Sequence, residues 1–333
     1  MIVNRALPLA SILLVMGGVL ILSWFIWIKN NPGPPLYQYR LITEGGMDRF
    51  PDLGLDPQPG ISIRKYELRT SENEKPLVIL HVGERNNSDN GAVLLDWQNQ
   101  IGEPLITTAP PISDLPKLTT AVAEHVPAGA VVLGWWDTTR RLDLLTEIST
   151  PFRKNLAQPL LVPDAWSGRR ENIKNIESDF WGINAANNAG TVDFDNFQKA
   201  LLEDTATGTA RLRNLVGEYE AYLVLHISDI YKLGTMNPEQ LGVGYRDFPS
   251  GDLHGTIKSI KTWLKEQGYE SYAIERYGEM HIRVYFLTDD LSSKTLIAQA
   301  LPFTSSQPLE LEEIKVVYQQ GGYWVYRIPA KKT

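Results

Sequence analysis

Gly134-Trp135-Trp136-Asp137-Thr138, with Thr139, Arg140 and Arg141 directly after it, is the stretch on which the reading of this chain turns. A short apolar strand, Ala130–Leu133, leads into it, and a helix is predicted to leave it over Thr138–Ile148. In open α/β sheets, ligands bind beyond the carboxyl ends of strands, beside the amino ends of the helices that follow. Two indoles, a carboxylate, two hydroxyls and two guanidiniums crowd that turn, so Trp135, Trp136, Asp137, Thr138, Arg140 and Arg141 form the candidate ligand or partner site. Asp137 reads in two compatible ways: as a helix N-cap accepting orphan amide hydrogens, or as a carboxylate at the mouth of a site. Adjacent strand residues face opposite ways, so one indole is expected in the core and the other against a groove or the helix. Two arginines at a helix amino terminus oppose its dipole, which points either to an anionic partner or to simple surface solvation.

Outward from this turn the pattern alternates. Helices are predicted at Leu115–His125, Arg169–Phe180, Phe194–Glu203 and around Leu212–Glu218, with short strands at Leu160–Val162 and Tyr222–Ile227. The apolar run Tyr-Leu-Val-Leu-His-Ile at 222–227 is of the kind buried on both faces of a sheet. Leu253–Lys265 is the clearest amphipathic helix, with Ile257, Ile260 and Leu264 on one side and Gly268 as its stop. Ser271–Arg276 with His281–Leu287, and Ile314–Gln319 with Tyr323–Ile328, read as hairpins, the second turning at Gly321-Gly322. Upstream, Tyr37–Thr43, Ile61–Arg69, Leu77–Val82 and Ala92–Trp97 read as strands. The fold class is therefore α/β, a mixed sheet with flanking helices over 113–333. A β-rich portion over 37–105 precedes it, and one sheet could serve both.

The beginning of the chain differs from the rest. Ala6–Ile28 is 23 residues without a charge, between Arg5 and Lys29. At about 1.5 Å per residue this run reaches across a bilayer core of about 30 Å. Trp24 and Trp27 sit near one end, where interfacial aromatics belong. The run is longer than a signal-peptide core, and it ends in Trp-Phe-Ile-Trp-Ile rather than a small-residue cleavage site. We read 1–29 as a transmembrane signal anchor and 30–36, rich in Pro, Gly and Asn, as a linker. The remainder is expected on the periplasmic side of the inner membrane.

Net charge and missing residue types exclude several functions. Residues 1–30 carry only Arg5 and Lys29, so the rest holds 30 basic against 39 acidic groups, a net of −9. Nucleic acid, which selects for basic surfaces, is not expected as a partner. With no cysteine there is no disulfide, thiolate nucleophile, iron–sulfur ligation or covalent haem attachment. No metal site and no cofactor are expected. Gly-x-Gly-x-x-Gly, Walker-A and Gly-x-Ser-x-Gly motifs are all absent, and Gly242-Val243-Gly244 reads as a loop. The catalytic candidates are Asp137, His226 at a strand end, and Asp229 three residues later, since His and Asp together can make an acid–base pair. The competing reading of His226 is a buried strand residue bonded to backbone. Nothing in the residues compels an enzyme.

The layout resembles the HaoB family of hydroxylamine oxidation proteins. The resemblance rests on the single amino-terminal span, Gly134-Trp135-Trp136-Asp137-Thr138-x-Arg140, and an expected Leu223–Leu233 strand with His226, Asp229 and Tyr231. It continues through Asp252-Leu253-His254-Gly255, Ala300-Leu301-Pro302-Phe303 and Gly322-Tyr323-Trp324-Val325-Tyr326. It implies a membrane protein associated with a multihaem hydroxylamine-oxidising enzyme, in an accessory role and without a defined reaction. A second, local similarity links Trp135-Trp136-Asp137 to the Trp-Trp-Asp of oligosaccharyltransferase catalytic subunits, where it recognises an acceptor hydroxyl. Here Thr138-Thr139 replaces the Tyr-Gly of those subunits, and their many membrane spans are missing. Against the accessory role stand a small-molecule or peptide-binding domain, and a transferase or hydrolase using Asp137 and His226. Proximity of Asp137, His226 and Asp229 would separate them.

Overall fold

A computed structural model describes residues 6–30, 36–70, 74–86, 91–100, 110, 112–146, 148–152, 164–182, 189–277 and 281–330. The expected strand at Leu160–Val162, most of the linker, and residues 101–109 and 111 lie outside the described residues.

The β-rich portion is a four-stranded antiparallel meander: β1 (Gln38–Gly46), β2 (Ile61–Arg69), β3 (Val78–Arg85) and β4 (Val93–Asn99), in that order across the sheet. The second sheet has the order β10 (Lys315–Gln320), β11 (Tyr323–Ile328), β6 (Ala221–His226), β5 (Val131–Gly134), and only β5 and β6 run parallel. The third is antiparallel and joins β7 (Val243–Pro249), β9 (His281–Leu287) and β8 (Tyr272–Tyr277). Among the described residues the two portions therefore do not share a sheet. β7 begins at Val243, where the sequence suggested a loop. Gly244 lies there so close to the Phe286 ring that a Cβ would fall 2.5 Å from it.

Side-chain alternation explains how these layers stack. Val132, Tyr222, Val224, Tyr323 and Val325 leave one face of the second sheet. They pack with α2 (Leu115–His125), α3 (Trp136–Leu145) and the inward residues Ile61, Ile63, Val93 and Leu95 of the first sheet. From the other face, Leu133, Leu223, Leu225, Trp324 and Tyr326 pack under α5 (Ala189–Leu202), α6 (Thr205–Val216) and α9 (Leu296–Gln299). Cover on both faces accounts for the unbroken apolar run of β6. The third sheet alternates too. Phe248, Ile282, Val284 and Phe286 meet α8 (Leu253–Gln267) through Ile260 and Leu264, while Ala273, Tyr285 and Leu287 turn toward the second sheet. Asp252 caps α8 by accepting the amides of His254 and Gly255. Two further helices complete the layers, α4 (Arg170–Trp181) and α7 (Asp229–Met236). Because α7 starts at Asp229, the Leu223–Leu233 segment is a strand only as far as His226.

The first helix, α1 (Ala6–Asn30), is one unbroken element of 25 residues. Among the described residues no helix is long and apolar enough to cross a membrane. The described side chains of α1 do not enter any of the hydrophobic clusters, and Leu14, Ile21 and Phe25 are 79%, 70% and 65% exposed.

Candidate functional site

The parallel pair β5–β6 fixes where the candidates go. Both strands end at the same edge of the second sheet, so α3 and α7 start side by side there. The β10–β11 turn at Gly321-Gly322 returns to that edge, because Tyr323 pairs with His226. The face of the third sheet that carries Glu275, Arg283 and Tyr285 closes over it, and those three share a face by strand register.

The sequence candidates converge, and they do so as a buried seam rather than an open cleft. Asp229 is 1% exposed; one carboxylate oxygen accepts the His226 amide hydrogen at 2.8 Å and the other accepts from Lys232 Nζ at 2.9 Å. Lys232 also lies 5.4 Å from the centre of the Trp135 ring. Asp137 accepts the Thr138 amide at 2.8 Å and faces the Arg141 guanidinium at 3.5 Å. Burial by itself would raise the Asp137 carboxyl. Lys232, then Arg141, then the Thr138 amide reverse that and hold it below the ordinary carboxylate value. Asp137 is not an N-cap, since Trp135 occupies that position without a side-chain cap and Asp137 sits in the first turn. With their oxygens turned to these partners, Asp137 and Asp229 hold the carboxyl ends of β5 and β6 together.

The other residues of the opening pentad have structural roles the sequence did not disclose. Trp135 and Trp136 are both buried, Trp135 edge-on to Phe194. Arg140 and Arg141 are 2% and 3% exposed, so both guanidiniums lie inside the fold. Arg140 donates to the Ala92 carbonyl at 2.8 Å and Arg141 to the Leu94 carbonyl at 2.9 Å. Ala92 and Leu94 are two residues apart and present their carbonyls on one edge of the first sheet, an edge that no further strand covers among the described residues. Burial pushes the Arg140 guanidinium down to about 10, against the pull of Asp143 and Asp137, and it stays charged at neutral pH. The two arginines at this helix end need no external anion, because their partners are internal. Two carbonyl dipoles and Asp137 take its place.

His226 is the centre of the seam's second half. Its ring is fully buried, edge-on to Tyr323 at 4.6 Å, with Nδ1 2.7 Å from the Ser228 hydroxyl and accepting the Ser228 amide at 3.2 Å. In the neutral ring that places the proton on Nε2. Nε2 lies 3.1 Å from Glu275 Oε1, and the Tyr285 hydroxyl faces Glu275 and Arg283. Burial, with the Glu275 carboxylate beside it and against the pull of Arg283, raises the Tyr285 phenol well above its ordinary value. Asp114 borders the same spot; burial raises its carboxyl against His226 and Lys117, and Glu275 adds to the rise. Arg283, 1% exposed, grips Asp247 through two bonds of 2.7 and 2.8 Å and stacks on Tyr245 at 4.3 Å.

Sequence reasoning missed Glu275, Tyr285, Asp114 and Arg283. One signal was available: Arg283 is a charge inside the otherwise apolar run Ile282–Leu287, which a buried ion pair explains. Two surface grooves, about 550 Å³ along α8 and about 760 Å³ beside β1 and β2, contain no seam residue. Among the described residues no group of three or more His, Asp or Glu is arranged to hold a metal ion.

A family model described as HaoA-associated protein HaoB matches residues 3–328, nearly the whole chain. None of the curated proteins and none of the solved structures compared with it matches.

Proposed function

Since this chain belongs to the HaoB family, we propose that it is a membrane-anchored accessory protein of hydroxylamine oxidation, holding its folded part on the periplasmic side. There it docks on HaoA, a multihaem hydroxylamine-oxidising enzyme, or couples that enzyme to the membrane. The family match carries this reading, because the family's description names HaoA as the associate. The anchor rests on α1. Its 25 residues include large apolar side chains left exposed from Ile12 to Trp27, a surface that costs free energy in water and none in hydrocarbon. The acidic balance favours docking on a basic or mixed surface and an association that weakens with salt. Capture of the tagged full-length protein from native membranes in mild detergent at low salt tests the proposal. The eluate should show the spectrum of a multihaem enzyme, and that spectrum should fade as salt rises. An eluate without haem protein at any salt concentration, together with intact hydroxylamine oxidation in a deletion strain, overturns it.

A further inference from the structure

Outside the seam, the groove along α8 has the most one-sided chemistry. Its volume of about 550 Å³ is lined by His254, Ile257, Lys258, Lys261, Thr262 and Lys265, with no carboxylate among them. The three lysines are exposed, and among the described residues none of them is in an ion pair. Helical period puts them in a row. They are three and four residues apart on the solvent side of α8, while Ile260 and Leu264 turn in to the third sheet.

Such like-charge pairs weaken a helix, and an acid three or four residues away ordinarily relieves them. No position three or four residues from Lys258, Lys261 or Lys265 holds Asp or Glu. Glu266, the one acid of α8, directly follows Lys265 and so points about 100° away from it. Beyond residue 30 the chain carries 30 basic against 39 acidic groups, so an uncompensated row of lysines stands out against its surroundings. The row also selects its occupant. From Lys258 to Lys265 it runs about 10 Å along the axis, too far for one compact anion, whereas carboxylates repeating at each turn of a facing helix match it. A bilayer is disfavoured, because the apolar face an interfacial helix would insert is packed here on Phe248, Ile282, Val284 and Phe286. Nucleic acid is disfavoured by the lack of any stacking ring in the lining and by the acidic body.

We propose that the solvent face of α8 is a docking surface for an acidic helical segment of a partner protein, with Lys258, Lys261 and Lys265 each meeting a carboxylate. The inference rests on the docking reading above for HaoA as that partner, and it adds the place of contact. α8 supplies the basic half of a mixed interface, and the acidic remainder of the folded part supplies the other. Exposed charges of this kind steer approach and fix orientation more than they hold a fold together. Loss of the row therefore acts on association and its salt dependence and leaves the fold intact.

The test compares the full-length protein in mild detergent with its Lys258→Glu/Lys261→Glu/Lys265→Glu variant. Lys174→Glu/Lys199→Glu/Lys315→Glu makes the same change of charge at exposed positions on α4, α5 and β10 and serves as the control. The probe is a fluorescent helical peptide with glutamates along one face, and the same peptide with glutamines is its blank. The expected result is saturable binding of the glutamate peptide at low salt, weakened by added salt. The midpoint should rise roughly tenfold or more in the α8 variant and stay unchanged in the control. Thermal unfolding shows that both variants are folded. A wild-type protein that does not bind the glutamate peptide overturns the proposal, and so do equal midpoints in the α8 variant and the control. Displacement of the peptide by glycerol phosphate at equal total charge also overturns it, by assigning the row to phosphate or lipid headgroups. Capture from native membranes separates the two readings. Peptide binding without capture of haem protein keeps the docking surface and sinks HaoA as the partner.

Discussion

At the scale of single residues, Asp137 shows how an exposed-looking motif becomes an internal device. Its carboxyl is held low by Lys232 and Arg141 despite burial. A group whose folded pKa is depressed contributes stability that is complete above its unfolded value of about 3.9 and is lost as pH falls through the folded value. Asp137→Asn should therefore cost about 3 kcal/mol at pH 7, the low end for breaking a buried pair, because Arg141 and Lys232 each keep another partner. That difference from wild type should shrink as urea unfolding is repeated at pH values falling from the ordinary carboxylate range through the depressed folded value. Asp114 has the opposite sign. Its folded pKa is raised, so its ionised form opposes folding, and Asp114→Asn should stabilise the protein at pH 7 with the gain vanishing near pH 3. A gain that persists at pH 3 would place its origin elsewhere.

Among elements, the joint between β4 and α3 is what the arginines provide. An edge strand left with free carbonyls invites pairing with another chain, and two guanidiniums close this edge from within. The helix itself was legible, because Leu142 and Leu145 sit three apart on the face that packs on the core. It starts at Trp136, two residues before the expected Thr138, since the strand ends at Gly134 and leaves the second indole to the first helical turn. Arg140→Met should lower stability by about 1.5–3 kcal/mol, the value of a hydrogen bond to a charged donor together with the stranded Ala92 carbonyl. The exposed Lys258→Met on α8 should stay within about 0.5 kcal/mol. Urea midpoints of the two variants with unchanged slopes check both. Equal midpoints would show that the first sheet is held by apolar contacts alone.

For the whole molecule, the question is what binds the three sheets into one body. The second sheet is covered on both faces, and the polar seam lies where its carboxyl-end edge meets the third sheet. The described side chains of α1 do not enter the hydrophobic clusters, so a chain lacking residues 1–30 should keep its unfolding midpoint. On the anchor proposal it should also be lost from the membrane fraction, and the full-length chain should resist extraction by alkaline carbonate. Retention of the truncated chain in the membrane would show that another surface holds it there.

The sequence by itself determined much of this protein. Periodicity in apolar residues is a local property, so β2, β9, β11 and α2 could be placed to the residue, and α8 to within two residues at its end. The missing cysteines excluded whole chemistries, and the family layout was readable along the chain. The β5 and β6 strands also made the region of interest legible, because the helix starts in an α/β fold gather at strand ends. What only tertiary structure decided was the role of each charge. Arg140 and Arg141 look solvent-bound until β4, some 47 residues upstream, supplies their carbonyls. His226 looks like a catalytic partner of Asp229 until Asp229 is found on the backbone amide and Lys232. Glu275 and Tyr285 carried no signal, since a strand's alternation tells which residues share a face and not which face another sheet will cover. Burial turns a charge from a solvated group into one that must find a partner, and burial is set by contacts far apart in the chain.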